Sequence, residues 1–235
     1  MTRSRPAARV VLVASLLALA LVGFGLSAWQ IQRRAWKHAL IEAVDSRSTA
    51  ASVAAPGPSE WPRITQERDA YRRVTFTGRF VHDRETLVQA VTERGGGYWV
   101  LTPLVGERFT VLVNRGFVPP ERRDPATRAA GNPTGNVTIT GLLRITEPDG
   151  GFLRANDPGA NRWYSRDIAA IASARGLTRI APYFIDADAA PNSGGYPVGG
   201  LTVIRFSDNH LVYALTWLAL ALGCLWGAKL VWQRR

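Results

Sequence analysis

Val10–Trp29 reads VVLVASLLALALVGFGLSAW, 20 consecutive residues without a formal charge, and Leu211–Ala228 reads LVYALTWLALALGCLWGA, another uncharged run near the opposite end of the 235-residue chain. Lys229 interrupts the second run. Leu230, Val231 and Trp232 follow it, and a lysine near a helix end can snorkel to the interface. At about 1.5 Å rise per residue, each segment is long enough, or nearly so, to cross roughly 30 Å of hydrocarbon. Two membrane spans, 10–29 and 210–232, are the simplest reading. The rival for the first is a cleaved signal peptide with Gly25 and Ser27 before the cut. Its apolar run exceeds the usual length of about 7–15 residues, and Arg33, Arg34 and Lys37 follow it.

Arg3, Arg5 and Arg9 precede the first run, and Lys229, Arg234 and Arg235 close the second, which puts both termini in the cytoplasm. Arg33, Arg34 and Lys37 oppose this for the first helix, but a long intervening domain is translocated largely regardless of charge. A span that begins by residue 10 leaves no room for a mitochondrial transit peptide, so a bacterial inner membrane with a periplasmic main domain is expected.

The formal net charge is +11, and 27 of the 29 basic residues are Arg. They are scattered, with no basic helix and no RNA-binding aromatic signature, so nucleic acid is not expected as a partner. The single cysteine, Cys224, lies inside the second run, which excludes an internal disulfide and paired-thiolate metal sites.

Between the spans, 30–60 reads as a juxtamembrane helix, with Trp36, Leu40 and Val44 four apart, followed by an Ala/Ser/Pro-rich linker from Ser46 to Glu60. Residues 61–209 read as a β-rich extracytoplasmic domain. Val74–Phe80 alternates apolar and polar residues, and Glu85–Val91 with Tyr98–Leu104 suggests a hairpin turning at Gly95-Gly96-Gly97. Phe109–Val113, Val137–Ile145, Ile180–Ile185 and Leu201–Phe206 are further strands. Pro119–Asn136 is an exposed loop, and Arg166–Ala174 is a helix with Ser165 as cap and Gly176 as stop. The fold class is therefore an α+β membrane protein, with two transmembrane helices flanking an antiparallel, barrel-like domain that carries one helix.

No nucleophile elbow, zinc-binding histidine pair, phosphate loop or dinucleotide fingerprint is present, so no enzyme is nominated. Asp186 and Asp188 resemble paired carboxylates, but their alanine neighbours and Pro191 suggest a solvated turn.

The informative residues cluster where the runs end. His210, Tyr213, Trp217 and Cys224 share a face of the second helix. An imidazole at the mouth of a membrane helix must be hydrated, hydrogen-bonded or ligating, and histidine is a common haem ligand. On the first helix Trp29, Arg33 and Trp36 share one face, and Gln30, Arg33 and Lys37 share another. A cation there suits an anionic group at the interface, although Trp and Arg are also ordinary interfacial anchors. Gly223 with Gly227, and Gly23 with Ser27, are small-residue pairs that suit close helix packing.

Four segments carry a resemblance. They are Trp29-Gln30-Ile31-Gln32-Arg33-Arg34-Ala35-Trp36-Lys37, Leu112-Val113-Asn114-Arg115-Gly116-Phe117-Val118-Pro119, Gly195-Tyr196-Pro197-Val198-Gly199-Gly200 and Asn209-His210-Leu211-Val212-Tyr213-Ala214-Leu215-Thr216-Trp217. In this order the chain resembles the surfeit locus protein one family of cytochrome c oxidase assembly factors. Asp208 stands where the family usually has Asn, and Val212 where it often has Gln.

The resemblance implies a chaperone of respiratory chain biogenesis that binds haem a and assists its insertion into oxidase subunit I. His210 would be the iron ligand, Arg33 or Lys37 would meet a propionate, and Trp29, Tyr213 and Trp217 would line the site. His38, outside the family pattern, is a second ligand candidate. Cytochrome c oxidase subunit I is the implied partner, with haem A synthase as a second candidate and membrane lipid as the surroundings. The alternative is a scaffold that stabilises subunit I without binding haem, with Asn114-Arg115-Gly116 as a docking loop.

Overall fold

The computed structural model describes residues 6–148, 150–151, 153–202 and 208–233. The chain divides into two compact units, 1–43 with 204–235, and 44–203. Its elements are α1 (Pro6–Thr49), β1 (Val53–Ala54), α2 (Gln66–Asp69), β2 (Arg73–Phe80), β3 (Thr86–Thr92), β4 (Gly95–Val105), β5 (Thr110–Val118), β6 (Asn136–Ile145), α3 (Ile168–Ala174), β7 (Ile180–Ala187) and α4 (His210–Gln233). Two apolar terminal helices, each long enough to cross a membrane, flank a sheet domain with one substantial helix.

The strand order is β1-β2-β6-β7-β5-β4-β3, and a β2–β4 pairing (Arg79 with Val105, Phe80 with Leu104) closes five strands into a barrel. Most neighbours are antiparallel. The exceptions are β1–β2 and β5–β7, which makes the sheet mixed. Alternation along the strands sends one set of side chains inward. Val74, Leu104, Val111, Val113, Tyr183 and Ile185 form the barrel core. The intervening residues Leu101, Leu112 and Phe184 pack with Trp163, Ile168 and Ile171 beneath α3. Asp167, not Ser165, caps α3, its carboxylate accepting from Ala170 N at 3.1 Å.

Several local expectations change on folding. The hairpin turns at Glu93-Arg94, and Gly95–Gly97 belong to β4. A Cβ on Gly97 would sit 2.3 Å from Val118 O, so that glycine permits a close approach. Asn114-Arg115-Gly116 is no exposed docking loop, because it lies inside β5 with Asn114 and Arg115 both buried. Gly116 has φ +125°, and a Cβ there would meet Val198 O at 2.0 Å. The 197–199 segment crosses here, with Phe117 N donating to Val198 O and Val198 N to Phe117 O, each at 2.9 Å.

The Ala/Ser/Pro segment after α1 is fastened to the barrel. β1 pairs with β2, and Pro56 O accepts from Tyr183 Oη at 2.7 Å and from Trp61 Nε1 at 3.0 Å. The 119–136 stretch makes two short 3-10 turns and buries Arg128. Of the strand expected at 201–206, Leu201 and Thr202 are not strand, and 203–206 lies outside the described residues.

Candidate functional site

Within the helical unit, α1 and α4 pack antiparallel along a seam of period 3.5. One stripe of less exposed residues on α1 runs Leu16, Ala20, Gly23, Ser27, Gln30, Arg34 and Lys37, at alternate steps of four and three. A matching stripe on α4 runs His210, Ala214, Trp217, Ala221, Cys224, Ala228 and Val231, with the same alternation. Small residues bring the backbones together. Ser27 Oγ donates to Ala214 O at 3.0 Å, and a Cβ on Gly23 would lie 3.0 Å from Ala221 Cβ. The Gly23/Ser27 pair therefore lies in the seam. Of the other pair, Gly223 has nothing within 4 Å and Gly227 reaches only Leu16.

Polar groups close one end of this seam. His210 opens α4, and its Nδ1–H donates to Gln30 Oε1 at 2.7 Å. That bond sets the tautomer and leaves the Nε2 lone pair without a protein partner among the described residues. Asp208 caps the helix through its carboxylate, which accepts from His210 N at 3.1 Å. The same carboxylate accepts from His38 Nε2 at 2.7 Å, and Arg34 Nε lies 3.5 Å away. The His38 hydrogen bond holds the Asp208 carboxyl below the usual carboxylate range.

The proposed residues are thus only partly gathered. Trp217 lies two turns along α4 from His210 on the same face, half-buried, while Tyr213 is turned outward and 55% exposed. Lys37 is on the seam side of α1. Arg33 stacks over Trp36 at 4.0 Å, and Trp29 and Trp36 are both exposed, away from the seam. His38 gives its Nε2 to Asp208, which removes that nitrogen from a ligand role. The sequence puts Gln30 on a face with Arg33 and Lys37, whereas in the fold it bonds across the seam to His210. The available signal was an amide at the end of an apolar run, which needs a partner at membrane depth.

The barrel unit holds two buried polar groups of its own. Asp186 lies within β7, not in a solvated turn, and accepts from Asn114 Nδ2 at 2.7 Å, Arg144 Nη1 at 2.8 Å, Arg166 Nη1 at 3.3 Å and Thr202 Oγ1 at 3.0 Å. Near the other group, Arg115 donates to Asn132 Oδ1 at 2.8 Å, to Gly131 O and to His82 Nδ1 at 3.4 Å. Burial lowers the Arg115 pKa to about 10 and depresses that of His82, which donates through Nε2 to Pro133 O at 3.0 Å. Arg128 forms a buried, two-pronged pair with Glu85. A cavity of about 190 Å³ beside Arg115 is lined by Phe80, Pro191 and Asn192 among others. Among the described residues no three His, Cys, Asp or Glu side chains gather as a metal site.

The four sequence segments thus meet in two pairs. The first and fourth join at Gln30 and His210, and the second and third at Phe117 and Val198. The SURF1 family model matches residues 17–222, which takes in the whole barrel, most of α1 and half of α4. The chain belongs to the SURF1 family. Surfeit locus protein 1 of Mus musculus is 37% identical over 92% of this chain and 74% of its own length. The Homo sapiens protein is 37% identical over 91% of this chain and 76% of its own. A SURF1-like protein of Drosophila melanogaster is 32% identical over 92% and 76%, respectively. In SURF1 terms the family match contains every residue of the polar seam end, from Gln30 to His210.

Proposed function

The SURF1 family is one of cytochrome c oxidase assembly factors, and we propose that this chain serves that assembly by carrying haem a to oxidase subunit I. The observation that carries the reading is His210, held through Nδ1 by Gln30 and with no partner at Nε2 among the described residues, at the polar mouth of an otherwise apolar helix. A ligating histidine almost always donates its second ring nitrogen in this way. The long apolar tail of haem a suits the helix surface below, where Trp217 and Tyr213 lie. The propionates suit cations at the interface. Arg33, over the Trp36 ring at 4.0 Å, is the first candidate to meet a propionate, and Lys37 is the second. Haem a would be the cargo, with His210 holding its iron and the helix pair offering an amphipathic surface.

In this reading the membrane is a bacterial inner membrane, the barrel is periplasmic and both termini are cytoplasmic, which the basic flanks Arg9 and Lys229 and the terminal arginines support.

The test is complementation. Membranes from a strain lacking this chain are compared with membranes supplied with the wild type or with His210→Ala. Haem a per subunit I is expected to recover with the wild type and to remain several-fold depleted with the variant, although the variant accumulates in the membrane. Full recovery with His210→Ala would contradict haem delivery and favour the scaffold role.

A further inference from the structure

A neutral imidazole that ligates through Nε2 carries its proton on Nδ1. Without an acceptor for that proton, the ring is free to turn and to change tautomer. In this chain the acceptor comes from the other helix. Gln30 Oε1 lies 2.7 Å from His210 Nδ1, and both residues occupy seam positions. The backbone of His210 is fixed separately, by the Asp208 carboxylate on its N–H at 3.1 Å. Main chain and ring are thus held by different partners, and Gln30 acts on the ring alone.

We infer that Gln30 is the positioning residue of the iron ligand, setting the tautomer, orientation and donor strength of His210 from across the helix pair. The inference rests on the haem reading above and adds a determinant to it. An uncharged amide makes His210 a moderate donor, more weakly electron-releasing than an imidazole hydrogen-bonded to a carboxylate. Such a setting suits a protein that must give its cargo up. Because the bond joins α1 to α4, the strength of the ligand also depends on the seam staying closed.

The experiment uses the full chain, purified in detergent from cells that make haem A, as wild type, Gln30→Glu, Gln30→Leu and His210→Ala. Haem a occupancy and the midpoint potential of the bound haem are read for each. Gln30→Glu, nearly isosteric, supplies a stronger acceptor and is expected to lower the potential while retaining haem. Gln30→Leu removes the acceptor and is expected to raise the potential and weaken haem binding by about 10-fold. A residue that merely packs the helices would not move the potential in opposite directions. If haem is present in the wild type and lost in His210→Ala, yet both Gln30 variants keep the wild-type potential or shift it in one direction, the positioning role is overturned and the haem reading stands. Absence of haem from the wild type would overturn both.

Discussion

Asp186 carries more of the barrel than its sequence neighbourhood suggests. Within Asp-Ala-Asp-Ala-Ala-Pro it has the local signature of a turn. Its partners Asn114, Arg144 and Arg166 come from β5, β6 and the segment before α3, and no local pattern reveals pairings 20 to 72 residues apart. The carboxylate is 2% exposed and compensates two guanidinium groups, themselves stacked against Phe184. Glu147 supports Arg166 at 2.9 Å. Removing one member of a buried ionic group leaves uncompensated charge, at a cost of roughly 3–5 kcal/mol. Asp186→Ala is therefore expected to lower the thermal midpoint of the barrel strongly, with Asp188→Ala as a milder control at a more exposed pair with Arg73. Equal melting of Asp186→Ala and wild type by circular dichroism would contradict this role. His210, by contrast, stands out in the sequence itself, because a histidine at the start of an uncharged run is costly wherever the chain folds.

At the scale of elements, the apolar runs and the alternating strands were readable because their periods are local. The register details were not. The mixed character of the sheet depends on β5 lying beside β7, a parallel pairing between strands about 70 residues apart. Gly97 reads as part of a turn and Gly116 as part of a docking loop, but both serve close backbone approaches inside strands, which only the crossing segments define. The helix pair gives the same lesson in reverse, for of the conspicuous Gly223 and Gly227 only Gly227 comes near the seam, at Leu16, while alanines at intervals of seven line it.

This seam yields a prediction. A side chain at Gly23 would meet Ala221 Cβ at 3.0 Å and Trp217 O at 3.1 Å, so Gly23→Leu must push the helices apart, an overpacking cost of about 1–3 kcal/mol. Cysteines introduced as Ser27→Cys and Ala214→Cys, in a Cys224→Ser background, are expected to cross-link readily, and several-fold less when Gly23→Leu is added. An unchanged yield would argue against this packing.

At the scale of the molecule, function divides between two units of different chemistry. The barrel encloses its charges as internal pairs, with Asp186 and Glu85 each committed to arginine. The helix pair leaves His210 Nε2 without a partner among the described residues, and carries exposed Trp29 and Trp36 with Arg33 on a different face of α1. At about 1.5 Å per residue, the 44-residue α1 runs to about 66 Å, well beyond one bilayer core, so Gln30 lies within continuous helix, while His210 is the first residue of α4. The most direct measurement is the visible spectrum of the purified full chain, co-produced with haem A synthesis, for wild type and His210→Ala. A haem a spectrum in the wild type that is lost from a stably folded variant is the expected result. A wild type free of haem a, drawn from membranes rich in it, would contradict the haem-carrying role.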